Sequence, residues 1–180
     1  LYKQPDPGRV IPHLAVRALQ NSNSVEACLK AIEGPHSDGA LWALKYMHNN
    51  EAVSGLITKL SSVRNYEKRQ KILTTLIRLY YQEGEYKGGW WGTRPDRTGP
   101  YYDRQKWAES DRIAAAVTTF LKNAEPKTLE VATVQLARHK VELKGLPKTV
   151  VAKTTEPDMP IEIAKADPND PNLIANLKPD

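Results

Sequence analysis

Apolar residues recur through the first half of the chain at helical spacing, and the spacing itself repeats. Val25, Cys28, Leu29 and Ile32 in "SVEACLKAI" (24–32) align with Val53, Leu56, Ile57 and Leu60 in "AVSGLITKL" (52–60), an offset of 28 residues. At the same offset Ala18-Leu19 align with Tyr46-Met47. Steps of three and four place such residues on one side of a helix. Helices this short are marginal on their own, so each stripe has to be buried against a neighbouring helix. This requirement narrows the fold to stacked helix pairs.

Further stripes extend the pattern. Val10, Leu14, Ala18 and Leu19 form one face, and Leu41, Leu44, Tyr46 and Met47 another. Ile72, Leu73, Leu76, Ile77 and Tyr80 form a third, Ile113, Val117, Phe120 and Leu121 a fourth, and Leu129, Ala132 and Leu136 a fifth. The breaks between them carry helix-end chemistry. Asn21–Ser24 ends the first helix and can cap the second, Gly34-Pro35 breaks the chain, and Ser37 can cap the third. Asn49-Asn50 makes a short turn, Asn65 caps the fifth helix, and Pro126 suits a first helical position, where its missing N–H costs nothing.

A period near 30 with two short helices per unit resembles HEAT-like repeats. The expectation is an all-α, antiparallel helix-pair repeat, an α-solenoid, over residues 1–145, with a long aromatic insertion loop at 84–105. The loop interrupts a repeat between its first helix (66–83) and its second (106–123). Beyond Gly145 the periodicity fails. Prolines stand at 147, 157, 160, 168, 171 and 179, and "DPNDPN" (167–172) is turn chemistry, so 146–180 is expected to be an extended tail or linker.

Several function classes lack their residues. One cysteine, Cys28, permits no internal disulfide, and its repeat mate Leu56 marks it as a core position rather than a reactive thiol. His13, His36, His48 and His139 show no i, i+4 ligand pair, which argues against a metal site. GxSxG, P-loop, HExxH and GxGxxG motifs are absent, and no apolar run approaches the ~20 residues of a membrane helix. The net charge of +5 is uneven: residues 156–180 hold six acidic and two basic residues, so the remainder carries +9. With no Lys/Arg run longer than two, this basic body reads as solvated helix faces rather than a nucleic-acid groove.

The unusual segment is "YKGGWWGTRPDRTGPYY" (86–102), with five aromatic residues, four glycines and two prolines. Eight of the thirteen aromatic residues lie between Tyr80 and Trp107, so the loop is too aromatic to be idle. Trp90, Trp91, Tyr101 and Tyr102 offer flat faces for sugar rings, and Arg94, Asp96, Arg97 and Asp103 could bond their hydroxyls. Tyr and Trp also anchor loops by burying large areas while keeping one polar handle. On that favoured reading the segment folds back over the helices as a plug. The nearby acids Glu83, Glu85, Asp96, Asp103 and Glu109 leave a third option, an enzyme site at the loop.

"WWGTRPDRTGPYYDRQKWAESDRI", following a helix that ends "LIRLYYQEGEY", resembles the HEAT-repeat region of large secreted proteins common in planctomycetes. In those proteins a dehydrogenase-like β-propeller precedes the repeat and a c-type cytochrome domain with a CxxCH motif follows it. The resemblance covers roughly 10–180 and is most specific at 90–104, with "ADPNDPNLIANLKPD" similar to the linker before the haem domain. It implies a secreted or periplasmic location and a module of something longer. It brings no catalytic residue and no cofactor, because neither the propeller nor CxxCH is in this sequence. The expectation is a non-catalytic scaffold that orients catalytic and electron-transfer domains, or docks a protein partner, with carbohydrate binding by the aromatic loop as the alternative.

Overall fold

A computed structural model describes residues 10–85 and 101–146 of the 180-residue chain. Among them are seven α-helices: α1 (Val10–Asn21), α2 (Val25–Ala31), α3 (Ser37–Leu44), α4 (Asn50–Ser62), α5 (Tyr66–Leu79), α6 (Ser110–Lys122) and α7 (Pro126–Arg138). Between α5 and α6 two short strands, β1 (Tyr81–Gln82) and β2 (Gln105–Lys106), pair antiparallel, with Tyr81 opposite Lys106 and Gln82 opposite Gln105. The described chain is mostly helical, as the apolar spacing predicts. The expected tail from Pro147 onward lies outside the described residues.

The helices pack in two rows. In one, α1 lies on α3, α3 on α5 and α5 on α7; in the other, α2 lies on α4 and α4 on α6. Contacts of α2 with α3, α4 with α5 and α5 with α6 tie the rows together. The repeat-related residues meet in the core between them: Val25, Cys28, Ile32, Val53, Leu56 and Leu60 are all buried. Burying each such aliphatic side chain stabilises by roughly 1.5–3 kcal/mol. Gly55 matches Ala27 of α2 across the 28-residue offset, and it lets the two helices approach: a Cβ there would stand 2.2 Å from Leu29 Cδ1.

Caps follow the sequence in part. Asn65 accepts from the Lys68 N–H (2.9 Å) and Pro126 opens α7 as expected, and Asn49, expected only as part of a turn, caps α4 by accepting from the Ala52 N–H (2.8 Å). Ser37 does not cap α3. His36 occupies that position and Ser37 is the first helical residue. Ser24 precedes α2, but its hydroxyl pairs with Ser22 Oγ at 2.7 Å instead of a helix N–H.

Two stripes differ from expectation. In α1, Val10 and Leu14 are 68% and 60% exposed, and Val16 is the buried residue. Among the described residues the helix packs mainly on α3, and the side turned to the core carries Val16 together with Leu19, the one member of the expected stripe that packs there. Tyr46 falls past the end of α3 and stays half exposed, where the Arg78 guanidinium covers its ring at 5.2 Å. Ala18, its counterpart at the 28-residue offset, is exposed too, but it lies inside α1.

Candidate functional site

The described flanks of the insertion converge on the end of α5. A helix leaves its last four carbonyls without intrahelical partners, and a buried end needs donors from elsewhere. Here four successive carbonyls each receive a side chain. Tyr101 donates its hydroxyl proton to Arg78 O (2.6 Å) and Trp107 Nε1–H bonds to Leu79 O (2.7 Å). Ser110 Oγ donates to Tyr80 O (2.7 Å), while His48 Nε2 lies 3.0 Å from Tyr81 O. Ser110 Oγ also accepts the Trp107 N–H at 2.9 Å, which locks the first turn of α6 to the last turn of α5.

These bonds assign both imidazole tautomers. A carbonyl only accepts, so His48 carries its proton on Nε2. The single Tyr101 hydroxyl proton is spent on Arg78 O, so His139 Nδ1, 3.2 Å from that oxygen, supplies the proton of their bond. Burial pulls the His48 pKa below its usual value against the opposing bond to Tyr81, and pulls His139 to about 4 with help from the charges of Arg78, Arg138 and Lys45. Both rings are therefore neutral near pH 7.

Tyr101 is the centre of the arrangement. Its ring is 0% exposed, with the Arg78 guanidinium 4.1 Å from its centroid and the Tyr81 and His139 rings edge-on at 5.8 and 5.7 Å. Burial pushes its phenol up to about 12, against the pull of the Arg78 charge. Tyr101 belongs among the expected sugar-facing residues by sequence, but its faces are occupied by protein. Tyr102 and Asp103 are half buried. The Tyr102 N–H bonds to Glu83 Oε2 at 2.8 Å, and Asp103 adopts φ +43. Trp90, Trp91, Arg94, Asp96 and Arg97 lie outside the described residues.

Gly84 closes the neck. Its N–H bonds to Tyr102 O at 2.9 Å, and a Cβ would fall 2.5 Å from Asp103 O, so the backbones approach more closely than any side chain allows. Arg104 reaches the other way, over the Tyr81 ring at 5.0 Å and onto Lys140 O at 3.2 Å.

Sequence reasoning missed Arg78 and Ser110, which are buried, polar and central here. A usable signal was present for Arg78: a base in the last turn of a helix whose neighbours are apolar. Cys28 is buried and burial raises its thiol pKa, which keeps it protonated and inert, in line with a core role. Among the described residues no group of three His, Cys, Asp or Glu side chains is placed to hold a metal ion. No helix among them is long and apolar enough to cross a membrane. The site's hydroxyls and imidazoles are bonded to carbonyls or to one another. No protein-family model matches the chain, and no curated protein and no solved structure matches it.

Proposed function

We propose that the chain is a HEAT-like α-solenoid module with no chemistry of its own, which orients neighbouring domains or docks a protein partner. The 28-residue repetition and the packing of alternate helices in rows support the solenoid reading. The resemblance of 90–113 supports a place beside catalytic and electron-transfer domains in a secreted or periplasmic protein.

The observation that carries the docking role is the outer face of α1. Val10, His13 and Leu14 share one side of it, and Trp42 of α3 stands beside His13 with ring centroids 6.4 Å apart. Covering Val10 and Leu14 would contribute roughly 1.5–3 kcal/mol each. Helix rows stay open at their ends until something caps them.

A photo-crosslinking residue placed at Leu14, with a control at the exposed Glu130 of α7, tests this in cells making the protein. One discrete protein adduct at position 14 and none at 130 is the expected result. Adducts at neither position, together with saturable polysaccharide binding that Trp90→Ala abolishes, would sink the docking reading in favour of a carbohydrate module.

A further inference from the structure

Three helices of one row, α3, α5 and α7, end beside one another, and each end carries a base. Lys45 follows α3, Arg78 lies in the last turn of α5 and Arg138 is the last residue of α7. All three line one cavity of about 370 Å³, into which Glu83 brings the one lining carboxylate among the described residues. Half-charges at helix C-termini account for some of this basicity. They do not account for Arg78, whose guanidinium makes no hydrogen bond to a helix carbonyl among the described residues.

Arg78 is unusual in itself. Its side chain is 9% exposed, held between the Tyr101 and Tyr46 rings, and Nη1 is buried with no hydrogen-bond partner among the described residues. Nη2 stands 3.9 Å from Glu83 Oε1, too far for a hydrogen bond, and the other Glu83 oxygen is engaged by the Tyr102 N–H. A buried guanidinium without a planar, two-oxygen partner is costly, and that geometry fits a carboxylate or phosphate. The neighbouring charges act in the same sense. Besides burial, Arg138 and Arg78 push the Lys45 pKa down against a smaller opposing pull from Asp38, so the cations at these helix ends repel one another.

We infer that this cavity, where α3, α5 and α7 end, binds a small molecule through an oxyanion, a carboxylate or a phosphate, held by Arg78, Lys45 and Arg138. Its volume falls in the range of small-molecule sites rather than of a bare ion. The site is distinct from the α1 face and stands whether or not that face docks a partner.

The test follows the Nε–Hε NMR signals of Arg78 and Arg138 during titration with inorganic phosphate and, separately, with malonate, at ionic strength held constant with sodium chloride. A saturating shift with one anion or both is expected, and which one saturates identifies the class. Lys45→Gln with Arg138→Gln should weaken it at least tenfold, and Glu83→Gln should tighten it. Both bases lie at the surface or half buried, so folding should persist, and far-UV circular dichroism checks that it does. Shifts that sodium chloride reproduces at equal ionic strength, no saturation with either anion, or binding unchanged in the double variant would each overturn the assignment.

Discussion

Two junctions in this molecule link a helix of one row to a helix of the other by different physics. Between α3 and α4 the turn is short, and Asn49 caps the following helix through an N–H three residues along the chain. Between α5 and α6 lies a longer connection, and the end of α5 and the start of β1 are closed by groups 23, 28, 30 and 33 residues distant: Tyr101, Trp107 and Ser110 on Arg78, Leu79 and Tyr80, and His48 on Tyr81. The cap at the first junction is a local choice, although the same turn also reaches out, Asn49 Nδ2 donating to Asn23 Oδ1 at 2.8 Å and His48 to Tyr81 O at 3.0 Å. The second exists only when the two helices and the loop flanks are already together, because closing a loop of this length has an entropic cost that several simultaneous contacts must offset.

The largest expected effect separates the two directly. Tyr101→Ala should destabilise the fold by about 3–5 kcal/mol, since it empties a fully buried aromatic site and strips Arg78 O of its donor. Urea unfolding should show the midpoint fall. An unchanged midpoint would mean that the insertion is decoration and the comparison is empty.

Next in size is a dependence on pH. His139 has a folded pKa of about 4 against roughly 6.5 when unfolded. Between those values the unfolded chain binds more protons, so stability is fully present above about pH 6.5 and is lost as pH falls toward 4, by on the order of 2 kcal/mol. His48 shifts in the same direction. The difference in melting temperature between wild type and His139→Gln should therefore vary across that window. A constant difference from pH 7 to 4 would show that His139 is not held neutral.

Ser110→Ala removes a buried hydroxyl that receives the Trp107 N–H and donates to Tyr80 O, and should cost about 1–2 kcal/mol. Amide exchange near Trp107 and Tyr80 should accelerate more than exchange in α2 or α4. Uniform acceleration would argue that the junction has no stability of its own. Asn49→Ala should cost ~1 kcal/mol and act at the start of α4 and on the Asn23 turn it bonds. If its effect equalled that of Tyr101→Ala in circular dichroism melts, the local junction would be as cooperative as the distant one.

Legibility in the sequence follows the same division. The stripes of α4 and α5 were readable because a buried face needs apolar side chains every three or four residues. Asn65 and Pro126 were readable as helix-end residues because a helix start is answered within one turn. The facing of α1 was not, since Val10 and Leu14 carry the right period and are exposed only because no helix among the described residues covers that side. The role of Tyr101 was half readable. Its composition allowed both an open ring and a buried one, and nothing local decides between them.

The sequence by itself determined that the described chain is mostly helical and where several helices start, because helical periodicity and capping act over a few residues. Only the tertiary structure decided that Tyr101 is buried, that four side chains bond the successive carbonyls where α5 passes into β1, and that Lys45, Arg78 and Arg138 share one cavity. Each of these depends on residues 23 or more positions apart meeting in space. Hydrogen bonding and charge depend on distance through space, which the order of residues along the chain does not encode until the rows have packed.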